Sequence, residues 1–126
     1  MMTHPESFRH LRLELARERG HPEGDASHGY DLVAPLRLDG HLDISAWRAN
    51  PGACRVRRFR PEEEDAIGHL ARKPGGQWYF DYGRGAIDEE PCFRLGEEHF
   101  VAGEYVAIRE EDGKFHTFKI ASIRPL

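Results

Sequence analysis

Residues 100–126 read FVAGEYVAIREEDGKFHTFKIASIRPL, and this stretch decides the fold class. Two runs of alternating apolar and polar residues flank Asp112-Gly113, the pattern of a β-hairpin. The length of the turn sets which side chains share a face, because facing along a strand has a period of two. A two-residue turn at Asp112-Gly113 sets Glu111 opposite Lys114 and scatters the apolar residues over both faces. A three-residue loop, Glu111-Asp112-Gly113 with Gly113 in the left-handed region, sets Val106 opposite Phe118, Ile108 opposite His116 and Glu104 opposite Ile120. The second register gathers Val106, Ile108, Phe118 and Ile120 on one face, so it is the one expected. It carries His116 inward with them.

Upstream, further short strands are legible. Residues 68–73 and 77–82 flank Pro74-Gly75-Gly76 and read as a second hairpin, with Trp78, Phe80 and Tyr82 on one face and Tyr79 on the other. Residues 54–60 form a short strand on which Arg55, Arg57 and Phe59 share a face. Residues 92–95 and 99–101 suggest a third tight turn, and residues 83–90 an acidic loop. Residues 30–38 look extended, and Pro35 marks that segment as an edge strand or a bulged one. Asp43 caps one or two helical turns that Asn50-Pro51-Gly52 end.

Thr3 and Glu6 have the spacing of a capping box, with Pro5 in the first turn. Phe8, Leu11 and Leu15 then lie on one helical stripe, and Gly20 is a suitable stop. Residues 1–20 are therefore expected to be a helix, 21–29 a linker and 30–126 a β domain, all within a single domain of 126 residues. The expected fold is mainly β: an antiparallel meander of about seven short strands. It forms a partly closed barrel or coiled sheet with the N-terminal helix against it.

Composition narrows the function classes. The net charge of −4 argues against generic polyanion binding by the whole surface. Residues 1–60 hold ten Arg against eight acidic residues, whereas residues 61–126 hold eight Lys or Arg against fourteen. No run of apolar residues is long enough to span a bilayer and no secretory signal is visible, so a cytoplasmic protein is expected. Cys54 and Cys92 lack CxxC spacing and are expected to be reduced and packed.

The sequence carries no GxSxG elbow, phosphate loop or dinucleotide fingerprint, and no cofactor is implied. Gly83-Arg84-Gly85 is too short to cradle a phosphate. A non-enzymatic module that binds a small ligand or a protein partner is the leading expectation. Trp78, Tyr82, His99 and His116 are the candidate ligand-binding residues at a barrel mouth, and the N-terminal helix is the candidate partner-binding element. A second reading is a histidine-assisted or metal-dependent enzyme using His69, His99 and His116, which with Cys92 sit on different expected strands that a barrel could bring together. No H-x-H or H-x₃-H spacing supports it. A third is single-stranded nucleic acid binding through Arg55, Arg57 and Arg58 beside the aromatic hairpin, although Glu62 to Asp65 oppose that charge. The segments GYDLVAPL, GGQWYFDYG and GEYVAIREEDGKFHTFKI resemble stretches of small β-rich bacterial proteins. That resemblance implies no activity, ligand or site.

Overall fold

A computed structural model describes residues 7–83 and 89–126. Eight strands run in chain order around a closed antiparallel barrel. They are β1 (Phe8–Leu15), β2 (Asp25–Pro35), β3 (Arg55–Phe59), β4 (Ala66–Arg72), β5 (Trp78–Asp81), β6 (Glu89–Phe93), β7 (Tyr105–Arg109) and β8 (Phe115–Pro125). One short helix, α1 (Ile44–Ala49), lies between β2 and β3. Each strand pairs with its sequence neighbours, and β1 pairs with β8 to close the ring. Closure removes the free edges that an open sheet of this size would leave. No helix among the described residues is long and apolar enough to cross a membrane.

The C-terminal hairpin adopts the three-residue loop. Glu110 N–H donates to the Lys114 carbonyl at 3.1 Å, and Gly113 sits at φ +79°. Val106 faces Phe118 and Ile108 faces His116. The Ile120 amide donates to the Glu104 carbonyl. The β4–β5 hairpin also forms as its alternation predicts, with Leu70 opposite Phe80. Asp43 caps α1 by accepting from the Ala46 amide at 3.0 Å.

The N-terminal expectation is overturned. Residues 8–15 form β1, not a helix, and β1 supplies the barrel's eighth strand. Leu11, Leu13 and Leu15 are all buried and alternate with partly exposed residues, which is a period of two. The helical stripe left Leu13 outside; the strand takes it in. Local helix propensity is a weak preference, and pairing along both edges of β1 overrides it. Thr3 and Glu6 lie outside the described residues.

The expected linker also dissolves in part, because Asp25 to Gly29 belong to β2. Pro35 is the last residue of β2 rather than the mark of a sheet edge, and in a closed ring it lies opposite Phe8. No third tight hairpin forms at residues 92–101: Leu95–Glu97 is a single 3-10 turn and the segment after it is not a strand. Of the acidic loop, residues 84–88 lie outside the described residues, and Glu89 and Glu90 open β6.

Inward positions divide the barrel lengthwise. One end is plugged with apolar groups. There Trp47 of α1 packs edge-on against Trp78 with ring centroids 4.9 Å apart, and its indole N–H donates to the Leu70 carbonyl. Leu42, Leu95 and Phe100 are buried in the same core. The middle is filled by Leu32, Val56, Phe80, Ile108 and Phe118. At the other end, where β1 turns to β2, β3 to β4 and β7 to β8, the inward side chains are charged.

Candidate functional site

The charged end is built by strand parity. Arg58 and Arg60 continue the inward series begun by Cys54 and Val56 on β3. Glu90 precedes inward Cys92 on β6, Glu110 follows inward Ile108 on β7, and Tyr82 follows inward Phe80. Two carboxylates are thereby placed inside the barrel, Glu90 at 3% and Glu110 at 8% exposure. Burying a carboxylate is costly unless it is paired and hydrogen-bonded, and both are.

Glu110 Oε2 accepts from Tyr30 Oη at 2.9 Å, and lies 3.0 Å from His28 Nε2 and 3.1 Å from Arg60 Nη2. Glu90 Oε1 accepts from Tyr82 Oη at 2.7 Å. Glu90 Oε2 lies 3.1 Å from Arg58 Nη1 and 3.3 Å from Arg60 Nη2. Arg60 Nη2 therefore bridges the two carboxylates. Its Nη1 pairs with Glu111 on the β7–β8 loop.

The two carboxylates respond differently to this setting. Burial alone would raise the Glu110 carboxyl, but the hydrogen bond from His28 and the charges of Arg60 and His28 outweigh it and hold it down at about 2. Burial raises Glu90, and the Tyr82 hydrogen bond and the Arg58 charge only partly offset it. Burial also raises the Tyr82 phenol, with Glu90 adding to the effect.

Gly68 makes room for this arrangement. A Cβ on Gly68 would stand 2.3 Å from the Asp81 carbonyl oxygen and 2.8 Å from the Tyr82 ring. Only a residue without a side chain lets β4 and Tyr82 approach so closely.

A surface hollow of about 330 Å³ opens at this end. Its lining includes His28, Arg60, Glu110, Glu111 and Asp112, with Asp25 on the facing wall. A larger concavity of about 630 Å³ lies beside it on the outside of the barrel, between the β1–β2 connection and the outer faces of β7 and β8. Its lining is mainly backbone and side chains such as Glu23 and Lys119 that face solvent. The smaller hollow is the one in contact with the buried network, through His28, Arg60 and Glu110.

The four expected ligand-binding residues divide between the two ends. Tyr82 and His116 lie at the charged end. Trp78 is sealed in the apolar plug, and His99 is exposed on the β6–β7 connection, its ring 4.3 Å from that of His41. The structure does not bring His69, His99 and His116 together, since His69 points outward from β4 and His99 and His116 occupy opposite ends. Among the described residues, no group of three or more His, Cys, Asp or Glu is arranged to hold a metal.

Arg55, Arg57 and Arg58 do not share a surface either. Arg58 points inward to Glu90, while Arg57 is outside and paired with Asp31 and Asp65. Phe59 beside it is covered by Arg12 and Arg57, whose guanidinium carbons stand 4.0 and 5.2 Å from its ring centroid. Both cysteines are buried and unbridged. Burial pushes the Cys54 thiol up to about 12 and raises Cys92 further from reactivity.

Glu90, Glu110, Arg60, His28 and Tyr30 escape a reading of the sequence that looks for motifs. Parity alone points to two of them: Glu110 follows Val106 and Ile108 at the same spacing, and Arg60 follows Val56 and Arg58. Together the fold and site define an eight-stranded up-and-down barrel with a plugged end and a charged end. Comparison with protein families, curated proteins and solved structures finds no match for the chain.

Proposed function

We propose that the protein is a non-enzymatic binding barrel that takes a small, positively charged ligand in the hollow at its charged end. One observation carries this reading: the ionised carboxylate of Glu110, fixed by three donors, forms part of the wall of that hollow. Around it stand Asp25, Glu63, Glu111 and Asp112, against Arg60 and the histidines His21 and His28. The carboxylates outnumber the permanent cations, which favours an ammonium or guanidinium group over an anion. The fixed donors keep the carboxylate in place before binding, so little ordering cost remains.

The buried, raised carboxyl of Glu90 and the lowered one of Glu110 form the kind of split pair that acid–base enzymes use. Glu90, however, does not line the hollow, and both its oxygens are occupied by Tyr82 and the arginines. This favours binding over catalysis. The test is calorimetric titration with butylammonium and with butyrate. Butylammonium is expected to bind to the wild type and to lose affinity in Glu110→Gln, with butyrate inert in both. Binding of butyrate alone, or of neither, would remove the proposal.

A further inference from the structure

His116 lies at the inner start of β8 with its two ring nitrogens facing two different carboxylates. Nδ1 lies 3.0 Å from Glu18 Oε1, and Nε2 lies 2.8 Å from Asp112 Oδ2. A neutral imidazole has one N–H donor and one bare acceptor nitrogen. Against two ionised carboxylates, a bare nitrogen would meet an oxygen lone pair. Only the imidazolium satisfies both contacts at once.

The two carboxylates belong to different connections. Glu18 sits in the β1–β2 connection, where its backbone pairs with His21. Asp112 sits in the β7–β8 loop and also accepts from the Lys114 amide. The chain path between Glu18 and His116 spans almost the whole barrel, so the ring ties together segments far apart in sequence. These same connections supply His21 on one side of the hollow, and Glu111 and Asp112 on the other.

We infer that His116 is a proton-operated latch that holds the β1–β2 connection against the β7–β8 loop and releases it when the ring loses its proton. This rests on the binding reading only in its purpose, which is to widen the rim of the hollow. The charged groups facing His116 among the described residues are Glu18 from the β1–β2 connection, Asp112 from its own hairpin, and Glu110 at the end of β7, 4.0 Å from Nε2. Glu110 is itself held by Arg60 and His28, 3.1 and 3.0 Å away. All three groups facing the ring are acids, so none opposes its charge.

Burial opposes protonation of His116, but the hydrogen bonds to Glu18 and Asp112 outweigh it and raise the ring above its ordinary 6.5. The stabilisation is therefore complete below pH 6.5 and is lost as pH rises through the elevated value. Release therefore follows from loss of the proton as pH rises, not from its uptake in acid.

Amide hydrogen exchange of the intact protein, with no ligand added, reads the latch directly. After correction for intrinsic exchange, protection of residues 17–23 is expected to fall about threefold to tenfold as pH rises from about 6 to about 9, the worth of a partly exposed charged hydrogen bond. The β4–β5 hairpin at the plugged end should not follow. In Glu18→Gln the pH dependence should shrink, and in His116→Gln it should vanish. Glu18 is on a surface connection, so its variant keeps the test available if the His116 variant folds poorly. Wild-type protection that is flat with pH, or that falls equally in Glu18→Gln, would overturn the latch. Because no probe is present, that result would leave the butylammonium titration to decide the binding reading on its own.

Discussion

The two ends of this barrel share the same strands but are held by opposite chemistry. At one end Trp47, Trp78, Leu95 and Phe100 fill the space with apolar surface. At the other, Arg58 and Arg60 interleave with Glu90 and Glu110, and tyrosine hydroxyls complete the hydrogen bonding. Burial of apolar surface is non-directional and insensitive to pH. A buried ion network depends on every partner being present in the right protonation state. The plugged end is thus held in a way that pH does not alter, and the charged end in a way that responds to protons and charge.

The largest effects should separate the ends by their pH dependence. Phe100→Ala is expected to cost about 3–5 kcal/mol, similar at pH 5 and pH 8, as a cavity in packed core. Arg60→Met should cost a comparable amount, about 3–5 kcal/mol near neutrality, because it strands two buried carboxylates. Its deficit should shrink in acid as those carboxylates take up protons. Denaturant unfolding across pH distinguishes the two, and parallel profiles would erase the contrast.

Next comes Glu110→Gln. The Glu110 carboxyl is depressed from its ordinary 4.5 to about 2, so its contribution is present above 4.5 and is lost as pH falls toward 2. The variant should lose about 3 kcal/mol at neutral pH, and its acid limb should be flatter than that of the wild type. Glu90→Gln should cost less, since that carboxyl already resists ionisation. Thermal unfolding as a function of pH compares them.

Gly68→Ala is expected to cost about 1–3 kcal/mol through overpacking against Asp81 and Tyr82. It should displace Tyr82 and so perturb the charged end selectively, which tyrosine fluorescence and proton NMR would register. The smallest effect belongs to the outer surface. Arg12→Ala removes a guanidinium from the face of Phe59 and should cost about 0.5–1 kcal/mol, with neither end altered.

How much of this was legible depended on whether a feature is local. The C-terminal hairpin register follows from turn length and alternation, and so does the inward facing of His116. The β4–β5 hairpin and the Asp43 cap are equally local. The strand β1 is not. Phe8, Leu11 and Leu15 satisfy a helical period and Leu11, Leu13 and Leu15 satisfy a strand period, and only pairing with β2 and β8 chooses between them. The same limit applies to the site. Parity places Arg60 and Glu110 inside, but which arginine meets which glutamate is a property of closure: β6 and β7 are paired neighbours, and β3 meets them only across the interior of the curved ring. Trp78 and Tyr82 show the converse error, since a shared face on one strand does not mean a shared end of the barrel.

The network at the charged end requires an ionised Glu110 carboxylate inside the barrel. The most direct measurement is the carbon-13 shift of the Glu110 side-chain carboxyl, followed by NMR through an acid titration of the folded protein. A midpoint near 2, well below the ordinary 4.5, is what the network of His28, Tyr30 and Arg60 predicts. A midpoint at or above 4.5 would contradict it.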